Sequence, residues 1–183
     1  MANVEGKATA ITVLTPVRPG GPLLLWLVFW AGRNITATLK KLQTLSFIHY
    51  ARWAVIERFP DQGEGERLHH TYLLFESNFN GTWDQYIDAF AQVMPGRFRF
   101  FWGSSINFPG PLPTGPFRAW VDRHHFEVQY FDSAVDGATA TMVTSALDLE
   151  EKLRAFARDS QGLDAETFQQ RYQQLLCEVE THL

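Results

Sequence analysis

The chain is predicted to fold as an α+β domain whose elements run strand, helix, strand, strand, helix, strand. Three observations predict it. β-Branched and aromatic residues alternate over residues 8–17, 46–59 and 68–77, as half-buried strands do. An apolar stretch after residue 22 and an amphipathic stripe after residue 82 supply the intervening helices. Turn-forming clusters, "RPGG", "PDQGEGER" and "PG", punctuate the joins.

"ATAITVLTPV" (8–17) is strand one, closed by "RPGG". Residues 22 to about 43 hold one helix, or two broken at Gly32, ending in "TLKKLQ". Its greasy part, Leu23 to Ala31, is about half the length a bilayer-spanning helix needs. Pro22 suits its first turn and Gly32 a stop. A short helix apolar all round is expected to be buried between a sheet and another surface, with an oligomer interface as its partner. "SFIHYARWAVIERF" (46–59) is strand two and "LHHTYLLFES" (68–77) strand three, joined by a polar loop. "NFNGT" makes a turn; Thr82 caps the next helix, with Gln85 reaching back as a capping box. Trp83, Ile87, Phe90, Ala91 and Met94 share its inner stripe, and Pro95-Gly96 stops it. "RFRFFWG" (97–103) reads as strand four.

"SSINFPGPLPTGP" (104–116) holds four prolines and two glycines, which makes it a loop with the length of a lid or wrapping arm. Phe117, Trp120, Val121, His124 and Val128 then share a helical face. Residues 138–144 fit a strand by composition, but Met142, Ala146, Leu149, Leu153 and Phe156 sustain a helical stripe, so a helix is expected. In the last helix Asp164 is the cap, and Phe168, Tyr172, Leu175 and Val179 line one side. Cys177, the only cysteine, lies on that helix and is expected to be packed and inert; alone, it forms no intramolecular disulfide and holds no zinc.

This element order is that of the ferredoxin-like fold. Over residues 8–103 the chain resembles, in order and patterning, the dimeric α+β-barrel superfamily. The resemblance implies helices on one face of a four-stranded sheet and a second copy against the other, hence a homodimer. It divides the chain into a ferredoxin-like domain (1–103), a Pro/Gly-rich loop (104–116) and a helical extension packing on the same core (117–183). Members of that superfamily include cofactor-free monooxygenases, haem-dependent peroxidases and chlorite dismutases, so the resemblance implies haem as one cofactor without choosing among them.

Charged residues make up 20% and hydrophobic ones 45% of the 183, the balance of a soluble globular protein rather than a disordered one. Sixteen basic against twenty acidic side chains leave a net charge of −4 with no run of like charge, which argues against nucleic acid and an anionic membrane as partners. The N-terminus lacks the basic, apolar and cleavage regions of a signal peptide, so a cytoplasmic protein is expected and the sequons at Asn34 and Asn80 carry no weight. Aromatic residues reach 14%, many of them between Trp83 and Phe131. They fill a core, or they line an apolar pocket for a small hydrophobic molecule.

Glu76 is the residue that asks for an explanation: a carboxylate at the end of an apolar strand. Strands two and three form an antiparallel hairpin. Ala51, Trp53 and Val55 share one face with Leu73 and Phe75; Tyr50, Arg52 and Ala54 share the other with Tyr72, Leu74, Glu76 and Asn78. The more apolar set should cover the helices. If residue 54 falls opposite 74, Arg52 meets Glu76 and Tyr50 meets Asn78. The candidate ligand-binding residues are therefore Tyr50, Arg52, His70, Tyr72, Glu76 and Asn78. A structural ion pair accounts for the cluster without further chemistry; the functional version has Arg52 hold an anionic or carbonyl oxygen, Glu76 handle a proton and the others position the ligand.

Neither His69-His70 nor His124-His125 chelates by itself, because neighbours on a strand or helix diverge, and no metal is expected. His70 has the parity of Tyr72 and Glu76 and falls at the rim of the cluster. His124 lies on an apolar stripe, as a satisfied core histidine does, and is the candidate axial ligand if haem binds. The nucleophile elbow, phosphate-binding glycine loop and dinucleotide fingerprint are missing. Three functions stay open: a homodimeric small-molecule-binding protein with an aromatic-lined cavity, a small oxygenase or haem-peroxidase-like enzyme, and a module that docks its greasy helix on a protein or membrane surface.

Overall fold

The computed structural model describes residues 4–34, 45–59, 68–93 and 95–180. They form two compact units, Met1–Gly137 and Ala138–Leu183. The expected helical continuation to residue 43, the polar loop after strand two and the place of Met94 lie outside the described residues. No described helix is long and apolar enough to cross a membrane.

The first unit is α+β and contains β1 (Val4–Glu5), β2 (Ala8–Val17), α1 (Gly21–Asn34), β3 (Ile48–Ile56), β4 (Thr71–Asn80), α2 (Trp83–Val93), α3 (Pro95–Trp102), α4 (Thr114–His124) and β5 (His125–Phe126). Its antiparallel sheet has the order β1-β2-β4-β3, with β5 also paired to β2. β4 is central, because its side chains alternate between an apolar set that the helices cover and a mixed set that they do not. Leu73, Phe75, Ser77 and Phe79 are buried with Val13, Thr15 and Val17 of β2. β4 runs three residues further than expected, since Phe79 continues the alternation into the core; the turn begins only at Gly81, whose φ of 99° needs glycine.

All four helices among the described residues of this unit lie on that face. Leu25 of α1, Ile87 and Phe90 of α2, Phe98 and Trp102 of α3, and Phe117, Trp120 and Val121 of α4 join the β2 and β4 residues in one core. Rings touch in succession: Phe75 with Trp102 at 5.0 Å, Phe98 with Phe117 at 5.2 Å, Phe108 with Trp120 at 5.3 Å. These aromatic residues therefore fill the core. The capping box opens α2 as expected, the Thr82 N–H donating to Gln85 Oε1 and the Gln85 N–H to Thr82 Oγ1. Arg118 of α4 clamps α2 by donating to Asp84 and Asp88, at 2.7 and 2.5 Å.

The segment expected as strand four is helical. Residues 97–102 alternate arginine and phenylalanine at first, but Phe98, Phe101 and Trp102 also stand at i, i+3 and i+4. Pro95 opens α3, where its missing N–H costs nothing. The core then decides: Phe98 and Trp102 are buried, and Phe101 stacks on Trp53 with ring centroids 4.5 Å apart. With that strand absent, three short pieces share the outer edge of β2. β1 pairs at Thr9, β5 pairs at Thr12 and Val13, and Ser105 bridges to Val17. The Pro-rich stretch thus begins pinned to the sheet. The Ile106 N–H donates to Pro16 O, Thr15 and Ser105 share a buried hydroxyl contact of 2.8 Å, and Arg18 donates to the carbonyls of Gly103 and Ser105.

One further expectation is corrected, and one is met on its sheet side. The stripe on α4 does not reach Val128: the chain leaves the helix at His125 (φ −79°, ψ 138°) to pair with β2. α1 covers the sheet through Leu25, and on the single chain its other large residues Leu23, Leu24, Trp26, Leu27 and Trp30 are exposed, the face expected to meet another surface. One helix face is enough to cover the sheet, and the opposite face carries the same greasy composition outward.

The second unit pairs α5 (Ala140–Asp159) with α6 (Ala165–Val179), so residues 140–144 are helical as the stripe required. Phe156 meets Phe168 and Tyr172 across the pair, at 5.4 and 6.0 Å. Cys177 is exposed rather than packed, because the buried positions of α6 are Leu175 and Val179 and residue 177 points away from both. Asp164 caps α6 by accepting from the Glu166 and Thr167 N–H groups, at 3.0 Å each. The Thr167 N–H, then the Thr167 hydroxyl, hold its carboxyl below the ordinary carboxylate range. Its folded pKa is depressed, so the cap's contribution is complete above the unfolded value of about 3.9 and is lost as pH falls through the folded one. Helicity followed by circular dichroism from neutral pH down to about 2 should show this loss in the wild type. Asp164→Asn, which still caps, should flatten that component, and Asp164→Ala should fray α6 at every pH.

Candidate functional site

The second face of the sheet carries the polar cluster, and the register explains its membership. β3 pairs with β4 so that Ala54 opposes Leu74, Arg52 opposes Glu76 and Tyr50 opposes Asn78, as the hairpin reasoning required. β2 flanks β4 on its other side, setting Leu14 beside Leu74, Thr12 beside Glu76 and Ala10 beside Asn78. Each β4 side chain on this face therefore has a neighbour on both sides, while β3 residues stand at an edge. The exposures follow: the Glu76 side chain is 22% exposed and that of Arg52 67%. Arg52 bonds Glu76 through both Nε and Nη2, each to Oε2. This leaves Oε1 as the carboxylate oxygen that the arginine does not take.

Around the pair the face grades from polar to apolar. One rung toward Asn80, Tyr50 and Asn78 lie side by side, Tyr50 exposed and Asn78 half-buried. A bulge at this point, where β3 fits both Ile48 and Tyr50 against consecutive β4 residues, leaves His49 as the extra residue. The Tyr50 carbonyl released by the bulge accepts from the Ser77 hydroxyl at 2.8 Å, a bond made on the buried side of the sheet. It steadies the backbone that presents Tyr50. Toward Thr71, Leu14, Leu74 and Ala54 make an apolar rung, and Pro16, Tyr72 and Ile56 the next. His70 is exposed one residue before β4 begins, beyond Tyr72. The structure thus brings Tyr50, Arg52, Glu76 and Asn78 onto adjacent rungs, places Tyr72 two rungs from Glu76, and leaves His70 at the margin.

Thr12 belongs to this set and was absent from the sequence-derived one. Its hydroxyl-bearing side chain shares the rung of Glu76, opposite Arg52. The period-two alternation of β2 assigns it to a face, but the β2–β4 pairing is non-local and no turn specifies its register. Beneath the cluster, on the helix side, Tyr86 is fully buried among Phe79, Phe90 and Trp83. Burial pushes its phenol above the ordinary tyrosine range, and the nearby Ser77 hydroxyl pulls it only partly back. The Ser77 hydroxyl is committed to Tyr50, and the Tyr86 oxygen has no hydrogen-bond partner among the described residues. It is a neutral core phenol with no access to the open face.

The histidines do not join the cluster. His124 is half-buried, its Nδ1 2.7 Å from Trp120 O and its ring 4.7 Å from that of Trp120. His125 stacks near Trp83 at 6.1 Å. Among the described residues no group of three or more His, Cys, Asp and Glu side chains is arranged to hold a metal ion. Away from this cluster, a concavity of about 510 Å³ separates α1 from the outer edge of β3 and is lined by Trp26, Phe29, Arg33, Trp53, Val55 and Arg58, among others. Sequence patterning gave no sign of it, since its two walls are distant in the chain.

In comparisons with known proteins, no protein-family model, no curated protein and no solved structure matches this chain.

Proposed function

We propose that the chain is a homodimeric small-molecule-binding protein in which the open sheet face meets the same face of a second copy and encloses a largely apolar ligand. The observation that carries this reading is the Arg52–Glu76 pair, set mid-face between the Tyr50–Asn78 rung and the apolar Leu14–Leu74–Ala54 rung, on the side of the sheet away from α1 to α4. A pair serving only a hydrated surface needs no apolar rungs beside it, whereas a closed site uses a few clustered polar groups against an apolar lining to fix orientation. In this reading Arg52 binds an anionic or carbonyl oxygen, Glu76 Oε1 takes or gives a proton, and Tyr50, Tyr72, Asn78 and Thr12 position the rest. His70 stands at the rim.

The sheet supports a ferredoxin-like, dimeric α+β-barrel arrangement. Its three long strands lie in the order β2-β4-β3 with the described helices of this unit on one face, and β5, β1 and Ser105 occupy the place of a fourth strand. A cytoplasmic location belongs to the same proposal; the exposed, lone Cys177 suits a reducing compartment.

Native mass measurement on the full chain purified from its own cells tests both parts at once. The expected species is twice the chain mass plus a retained small molecule. A monomer persisting at micromolar concentration, with nothing bound, would overturn the proposal.

A further inference from the structure

We infer that α1 is a membrane-surface anchor, lying in the interface of an anionic lipid leaflet with its outer stripe inserted. The stripe is Leu23, Leu24, Trp26, Leu27 and Trp30, without a polar residue among them. These positions fall together on the face opposite the buried Leu25. Trp26 and Trp30, four residues apart, are 61% and 54% exposed. If each of the five residues shows about half of roughly 200 Å², the stripe presents about 500 Å² of apolar surface, at the upper end for a monomeric protein. With 14 residues the helix is about 21 Å long, too short to span a bilayer but suited to lying along one. Tryptophan is the residue that favours the headgroup level, where a ring can be half apolar and half wet.

Charge selects the occupant. Between Glu5 and Glu57 the sequence has no acidic residue and six cations: Lys7, Arg18, Arg33, Lys40, Lys41 and Arg52. The net negative charge of the whole chain hides this division, since all but one of the twenty carboxylates fall after the acid-free stretch. Arg18 stands just before α1, bonded to carbonyls of Gly103 and Ser105 rather than to a carboxylate. Arg33 lies in the last turn of α1, and Arg58 faces it across the cleft, next to the single acid Glu57. A second copy docked through this stripe would set two acid-free segments against each other, whereas anionic headgroups complement both ends of the helix. The helix therefore lies with Leu23 and Leu27 among the acyl chains, the two tryptophans at the boundary between acyl chains and headgroups, and the flanking arginines at the phosphates.

Flotation of the full chain with vesicles tests this, comparing phosphatidylcholine alone with equal parts phosphatidylcholine and phosphatidylglycerol. The wild type should float with the mixed vesicles at low salt, and brominated acyl chains should quench its tryptophan emission. Trp26→Ser/Trp30→Ser alters only exposed positions, so its circular dichroism and melting should match the wild type while flotation falls at least about tenfold. Arg33→Gln should weaken binding to mixed vesicles by about fivefold and leave the insertion depth unchanged. Failure of the wild type to float with mixed vesicles overturns the inference. So does equal flotation with both compositions, or a self-associated species that the double serine variant dissolves while vesicles are ignored.

Discussion

Phe75→Ala is expected to cost about 3–5 kcal/mol of folding stability, enough to leave a typical domain close to unfolding. Phe75 is 1% exposed at the centre of the central strand. Its ring lies 5.0 Å from Trp53 on the neighbouring strand and 5.0 Å, edge-on, from Trp102 of α3. Truncation removes the buried ring and leaves a void that neither neighbour can fill, since Trp53 is stacked on Phe101 and Trp102 is held between Phe98 and Phe75. The effect should appear in urea denaturation as a midpoint lowered by about 2 M at an unchanged slope. Phe100→Ala is the control: the same deletion two residues from Trp102, at a position 57% exposed, should change stability by less than about 0.5 kcal/mol. A loss below about 1 kcal/mol at Phe75 would mean that the sheet and α3 are not packed through this residue.

How much of this was legible in the residues depended on whether local spacing carried the information. The β3–β4 register was legible because the strands are close in sequence and any one-residue slip would turn Trp53 and Phe75 outward. The caps at Thr82 and Asp164 were legible because a cap is a contact between residues two or three apart. α3 was misread because Arg97 to Phe100 fits both periods, and the arbiter is the position of Trp53, some forty-five residues earlier in the chain. Thr12 escaped for the same reason: its partner Glu76 belongs to a strand reached only after α1, β3 and a loop. Exposure of α1 was illegible because an all-apolar helix has no period that separates an inner from an outer face. Cys177 was assigned by residue type, whereas its angle from Leu175 and Val179 decides its environment.

Breaking the Arg52–Glu76 pair from one side is expected to weaken the proposed dimer by roughly 10²–10⁴-fold for each pair broken, corresponding to about 3–5 kcal/mol for a charge left buried without its partner. Arg52→Met would strand the Glu76 carboxylate and Glu76→Gln the guanidinium; each should shift the dissociation constant measured by dilution and sedimentation. The double variant should recover most of the loss, because a neutral pair of similar volume replaces an ion pair at little net cost. The magnitude discriminates between an open and an enclosed pair. On one chain the arginine is largely exposed and the pair is worth at most about 1 kcal/mol, so each single variant would then move any measured equilibrium by no more than about fivefold. A large penalty in both single variants that cancels in the double one requires water to be excluded from Glu76, and on this face only a second layer of protein or a bound ligand excludes it. Adding the retained small molecule back to the single variants separates those two: a ligand-made enclosure restores the coupling in proportion to occupancy, whereas a protein-made one depends on protein concentration alone.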